Sequence, residues 1–269
     1  MATTGGPETI RDTSLTGLMD RIEVILDAVT IEGPLTLTEI VVLTEMPKTT
    51  VHRLLVQMVR YRWLTRIGNN YELGVRLFEL GTEARQGHWF HRLVRPHLEE
   101  LRARTRLLVH LAFLDGESVI WWERLGDVPP GHVPTVVGSR TAAHLTASGK
   151  VLLSVEDDAF LDRTFGEHLQ VSTARTCRTR NELAVQVRAA RNSGLAFDHG
   201  ENVHDVGCIA APIVVRQQLS STGRRIAVSV SVCGPLDRIQ KDRQLQRDVF
   251  TCVTGVQRDL SRNPVATDY

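Results

Sequence analysis

No apolar run in the 269 residues approaches the roughly 20 needed to cross a bilayer, so the pattern holds no membrane-spanning helix. Excess charge of either sign is missing too: 32 Lys and Arg stand against 31 Asp and Glu, a formal balance of +1. That excludes a generally basic, histone-like binder, and any contact with nucleic acid must be local. Cysteine is sparse. Cys177, Cys208, Cys233 and Cys252 are widely spaced, include no C-x-x-C pair and follow no signal peptide. Reduced thiols in a cytoplasm are expected from this, rather than a disulfide framework. Internal repeats and low-complexity tracts are also absent. What remains is 42% apolar and 23% charged, enough to bury a sizeable core in one large or two ordinary domains. The polar opening "MATTGGPETIRDTS" and the closing "SRNPVATDY" read as frayed tails.

Leu15, Leu18, Ile22, Ile25, Leu26 and Val29 fall at helical intervals and form one buried stripe. "EGP" at 32–34 ends that helix. Thr36 then stands three residues before Glu39, the capping-box spacing, and opens a short second helix. Pro47 suits the first turn of a third, with Val51, Leu54, Leu55 and Met58 facing inward. "WLTRI", "GNN" and "YELG" follow as a hairpin. From Val75 to Arg106 the pattern is helical, with breaks expected near Gly81, Gly87 and Pro96.

Three helices and a hairpin are the winged helix-turn-helix pattern, whose third helix enters the major groove of DNA. Between Met46 and Tyr71 there is no carboxylate, although the whole chain is nearly neutral. Lys48, Thr49, Thr50, His52, Arg53 and Gln57 are expected on the outer face of helix three. Lys48 and the Thr hydroxyls suit phosphate at the helix N-terminus, and Arg53 suits guanine or phosphate. Arg62, Arg66, Asn69 and Asn70 at the hairpin are placed for the adjacent backbone. Ordinary solvated charges would give the same count. Helix order, the capping box, Pro47 and the hairpin together favour DNA. For His52 a partly buried structural role stays open.

The second part alternates strands and helices, so it reads as mixed α/β. "LLVHLAFLDG" and "SVIWWERL" are strands joined at Asp115-Gly116, and "TASGKVLLS" begins a helix. "TRNELAVQVRAARNSGLAF" holds a helix closed by Gly194. "GCIAAPIVV" and "RIAVSVSVCGP" are strands flanking the loop "RQQLSSTGR". Ser148, Asp198, Cys208, Ser231 and Cys233 are small polar residues in these apolar segments. Positions 229, 231 and 233 share one strand face, and 228, 230 and 232 the other. Such a pattern suits a cavity for a small organic ligand, whose carboxylate could rest on the amides of "ASGK". Close packing of a helix on small residues would also produce it.

"PKTTVHRLLVQMVRYRWLTRIGNNYELGVRLFELG", "HLTASGKVLLS" and "GENVHDVGCIAAPI…RIAVSVSVCGPLDRI" resemble the winged-helix segment and the two effector-domain signatures of the IclR family of bacterial transcription regulators. The resemblance spans about residues 14–260. It implies an α+β protein: a winged helix-turn-helix DNA-binding domain at 14–74, a linker helix at 75–87, and a mixed α/β, GAF-like effector and oligomerisation domain at 88–262. It further implies double-stranded operator DNA, a small effector such as an organic acid or aromatic metabolite, and homodimers or dimers of dimers, with no cofactor, no metal and no catalysis. The matched effector positions are Ala147, Ser148, Asp198, Cys208, Ser231 and Cys233. Cys233 replaces the second serine of the family's S-x-S-G-P pattern. A thiol is a weak donor, which favours a larger or more apolar ligand. His110, Trp121 and Trp122 are open to either cavity lining or packing.

The alternative is a metal-binding or enzymatic domain using His199, His204 and Cys208. Their spacings of five and four are irregular for structural zinc. A cysteine opening an apolar strand is more often inert than nucleophilic.

Overall fold

Thr36 and Glu39 close the anticipated capping box. The Thr36 Oγ1 accepts from the Glu39 N–H at 3.3 Å, and the Thr36 N–H donates to Glu39 Oε2 at 2.7 Å. In the computed structural model, residues 17–127, 135–215 and 226–262 are described. They fall into two compact units, divided between Gly87 and His88. Leu15, both expected tails up to residue 16 and beyond 262, and the loop at 216–224 lie outside the described residues.

The first unit runs α1 (Leu18–Glu32), β1 (Leu35–Thr36), α2 (Leu37–Thr44), α3 (Lys48–Arg60), β2 (Leu64–Ile67), β3 (Asn70–Leu73) and α4 (Val75–Gly87). The strands form an antiparallel sheet ordered β1-β3-β2. Val51, Leu54, Leu55 and Met58 of α3 are buried, as their spacing requires, against Ile25, Val29 and Ile40 of the preceding helices. Each such side chain contributes about 1.5–3 kcal/mol on leaving water. The sheet docks closely at Gly74, where a Cβ would stand 2.1 Å from the Arg62 carbonyl oxygen. Only glycine fits there.

The second unit contains α5 (Trp89–Thr105), β4 (Leu108–Asp115), β5 (Ser118–Leu125), β6 (Arg140–Ala142), α6 (Ala147–Leu153), α7 (Asp158–Thr164), α8 (Arg180–Ser193), β7 (Ala196–His199), β8 (Val206–Val215), β9 (Ile226–Pro235), α9 (Leu236–Lys241) and α10 (Arg243–Arg262). Its sheet is antiparallel throughout, ordered β6-β5-β4-β9-β8-β7. Helices α5 and α10 pack on one face, where Val228, Val230 and Val232 join Val109, Leu111 and Ile209. Helices α6 and α8 pack on the other, beside Ala210 and Cys233.

Of the breaks expected at Gly81, Gly87 and Pro96, only the one at Gly87 occurs. A helical glycine costs about 1 kcal/mol relative to alanine, too little to stop α4. Pro96 removes one hydrogen bond from α5 at a cost of ~3 kcal/mol. Burial of Val94, Leu98 and Leu101 against the sheet offsets it. Helix α10 went unanticipated, although Leu245, Val249, Cys252, Val253 and Val256 are buried at helical spacing.

Candidate nucleic-acid interface and ligand cavity

Helix α3 begins directly after Pro47, whose carbonyl accepts from the Thr50 and Val51 amides. Lys48, Thr49, His52, Arg53 and Gln57 are exposed and Thr50 is half-buried. Among the described residues, no carboxylate pairs with Lys48 or Arg53, so both cations stay free for an outside anion. The hairpin side chains are more constrained. Arg62 adopts a left-handed backbone (φ 62°), and its guanidinium donates to Glu79 of α4 at 2.8 Å. Arg76 binds the same carboxylate at 3.1 Å, and the two hold it below the usual carboxylate range, Arg76 most strongly. Arg66 donates to the Gly68 carbonyl at 2.9 Å and lies over the Tyr71 ring. Asn69 and Asn70 are exposed at the tip.

In the second unit, Ala147, Ser148, Asp198, Cys208, Ser231 and Cys233 line one small cavity. Trp121, Thr135, Thr146, Asn202, Val203 and Val206 complete its wall. Helix α6 is wholly buried and capped by Thr146, whose Oγ1 accepts from the Gly149 N–H at 2.9 Å. Gly149 lies against the backbone of Ala143, with room for no Cβ: one would stand 2.1 Å from the Ala143 carbonyl oxygen. The Ser148 hydroxyl donates to Ser231 Oγ at 3.1 Å, tying helix to sheet.

Asp198 supplies the acid of the cavity. Its Oδ1 accepts from the Gly200 N–H at 3.0 Å and the Glu201 N–H at 2.6 Å. Burial nevertheless dominates and pushes the carboxyl up to about 6, from an ordinary 3.8. Behind it, the buried Lys150 ammonium donates to Glu201 and to the Phe197 carbonyl.

Strand register explains the grouping. Asp198 faces Cys208, Cys208 faces Cys233, and Cys233 faces Leu108, one row across four strands. It also corrects the expectation of four reduced thiols. Cys208 and Cys233 are joined as a disulfide, their Cα atoms 4.2 Å apart, while Cys177 and Cys252 are free and buried. A separation of 25 residues in sequence conceals that β8 and β9 bring these two positions face to face.

His110 sits behind the cavity wall with no exposure. Its Nε2 lies 2.8 Å from Thr135 Oγ1, and burial drives its pKa down to about 3, so the imidazole is neutral. Trp121 borders the cavity, 4.7 Å from that ring. Trp122 instead stacks on Phe90, because adjacent residues of a strand point to opposite faces. What alternation does not reveal is Glu123, which the bulge between Leu111 and Ala112 turns toward α5, 2.6 Å from His91. Sequence reading also missed Thr135, Asn202, Val203 and Val206. Thr146, an N-cap threonine three residues before Gly149, was the one carrying a signal.

The alternative trio does not converge. His199 stacks on Phe197, His204 is exposed and pairs with Asp205, and Cys208 is bonded to Cys233. Among the described residues no three His, Cys, Asp or Glu side chains are placed to hold a metal.

Comparison with known proteins gives concordant results for both units. The family model "Bacterial transcriptional regulator IclR C-terminal" matches residues 86–262, and "IclR helix-turn-helix domain" matches residues 20–68. The HTH-type transcriptional regulator KdgR of Escherichia coli K12 is 30% identical over 237 residues, covering 87% of this chain and 88% of that protein. KdgR of Dickeya chrysanthemi is 29% identical over 223 residues, covering 82% and 71%. The solved structure of an IclR homologue complexed with 4-hydroxybenzoate, from Microbacterium hydrocarbonoxydans, has a TM-score of 0.76 at 23% identity and covers 90% of this chain and 98% of that one. At that identity the likeness is one of fold.

Proposed function

Because the chain belongs to the IclR family of bacterial transcriptional regulators, it is a DNA-binding regulator with an effector domain, and we propose how its residues divide that work. Residues 14–74 bind double-stranded operator DNA, 75–87 form the linker helix, and 88–262 bind the effector and oligomerise. Lys48 and Thr49 hold phosphate at the start of α3, with Thr50 beside them. His52, Arg53 and Gln57 face the base edges. Arg66, Asn69 and Asn70 lie along the adjacent backbone. Arg62 keeps one hydrogen bond to Glu79 and reaches phosphate with its remaining donors.

The observation that carries this division is the fate of the two residue sets. The cations of α3 stay unpaired on an outer face, while all six expected effector positions line one cavity. That cavity takes a small organic acid or aromatic metabolite. Its carboxylate rests on the amides of Ala147 and Ser148, and a hydroxyl donates to Asp198. The 4-hydroxybenzoate of the solved relative has both groups.

Homodimers, or dimers of dimers, are supported by apolar side chains left in water: Leu18 and Met19 on α1, Val75 and Phe78 on α4. Exposed clusters of this kind mark interaction surfaces. No described helix is long and apolar enough to cross a membrane, and DNA as the partner supports a cytoplasmic location. The relatives are regulators, and we assign the chain no catalysis. Fluorescence anisotropy with a fragment of its own promoter region tests the reading: binding must weaken steeply with salt and respond to a cavity ligand. Salt-independent binding would refute it.

A further inference from the structure

We propose that Cys208 and Cys233 are a reversible redox pair whose state sets the affinity of the cavity for its effector. The proposal rests on the effector reading of that cavity. Both cysteines line the cavity together with Ser148 and Asp198. The cross-link is not needed to join the strands, since β8 and β9 are paired continuously from Val206↔Pro235 to Val215↔Ile226. Its effect is therefore local to the cavity. The other two thiols are built differently. Cys177 and Cys252 are no part of the cavity wall, and burial pushes both thiols up, Cys252 to about 12.

The dithiol state has a place prepared for it. Cys233 Sγ lies 3.7 Å from His110 Nδ1. With Nε2–H donating to Thr135, the neutral imidazole presents Nδ1 as an acceptor for the Cys233 S–H. As thiols the two sulfurs cannot stay at bonding distance, so one swings toward His110 or into the cavity. Either movement alters a wall shared with Trp121 and Thr135.

The oxidant is hydrogen peroxide. One thiol, ionised as it reacts, attacks a peroxide oxygen. The O–O bond breaks, water leaves, and a sulfenic acid forms. The second thiol displaces the hydroxyl as a second water and closes the S–S bond, so two electrons pass from the sulfurs to the peroxide. A dithiol reductant reverses the step by exchange, leaving as its own disulfide. Oxidation removes two S–H donors and fixes the wall, so the dithiol form binds effector more tightly.

The test uses the full chain, reduced with dithiothreitol, desalted, and divided with and without hydrogen peroxide. Alkylation with mass spectrometry counts the thiols, tryptophan fluorescence reports on the wall, and calorimetry measures 4-hydroxybenzoate. Peroxide should remove Cys208 and Cys233 together from the alkylated pool, spare Cys177 and Cys252, and shift the emission. The dithiol form should bind at least tenfold tighter. Cys233→Ser should lose the peroxide dependence of fluorescence and affinity. Thiols that survive peroxide, a bond that dithiothreitol cannot open in the folded chain, or equal affinity of the two forms would overturn the proposal. Failure of both forms to bind 4-hydroxybenzoate counts against the acid-binding reading of the cavity. Thiol count and emission then decide the redox pair, and no peroxide effect on either overturns it.

Discussion

Lys150 and Glu201 form an ion pair of 2.5 Å whose side chains are 2% and 5% exposed. It joins α6 to the turn that follows β7, next to Asp198, so a buried contact ties the helix to the sheet edge at the cavity. Both charges are desolvated, and each is tolerated only because the other is present.

Lys150→Met should therefore destabilise the second unit by about 3–5 kcal/mol, leaving Glu201 buried and unpaired. Lys150→Met with Glu201→Gln should recover most of that loss. Urea unfolding of both variants reads the difference, and a single variant as stable as the parent would disprove the coupling.

Asp198 makes stability depend on pH. Its folded pKa lies near 6 and its unfolded value near 3.8, so between those values the folded state holds more protons. Stability from the neutral carboxyl is present at pH 4 and lost as pH rises through 6, by about 2–3 kcal/mol in all. Asp198→Asn keeps an oxygen for the Gly200 and Glu201 amides. Relative to the parent it should be more stable at pH 8 than at pH 4. Buried His110 contributes the opposite slope, which is common to both proteins and cancels. Parallel stability curves for the two would contradict this account.

Gly149→Ala should abolish the seating of α6, because the added carbon meets the Ala143 backbone, which has no flexible end to yield. Overpacking of this kind costs typically 1–3 kcal/mol and more against backbone. The melting temperature should drop by several degrees, and 4-hydroxybenzoate binding should fall with it. An unshifted melt would show that α6 accommodates the methyl.

Arg53→Ala removes an exposed, unpaired cation, so unfolding should be unchanged within about 0.5 kcal/mol. Promoter-fragment binding should weaken by about tenfold or more. If Arg53 sits on phosphate, the salt slope also falls by about one; if it reads guanine, the loss varies with sequence. Equal affinity for the parent and the variant would remove Arg53 from the contact surface.

Much of the fold was legible because local rules carry it. The Thr36–Glu39 capping box, the stripe of Val51, Leu54, Leu55 and Met58, and the closure of α8 at left-handed Gly194 each depend on a few neighbouring residues. The alternating faces of β9 were equally readable, since 228, 230 and 232 are buried on one side and 229, 231 and 233 on the other. Glu123 marks where such reading ends. Alternation would set it beside Trp121, but a bulge turns it to His91 of α5, and nothing in "VIWWE" announces it.

By itself the sequence determined the helix caps, the faces of strands and helices, and a carboxylate-free surface on α3, because each is a property of residues within a turn or two of one another. Tertiary structure alone decided that Cys208 meets Cys233, that Lys150 finds Glu201, and that Arg62 turns toward Glu79. Those pairings depend on strand register and helix docking, which bring distant residues to bonding distance and leave no trace in local spacing.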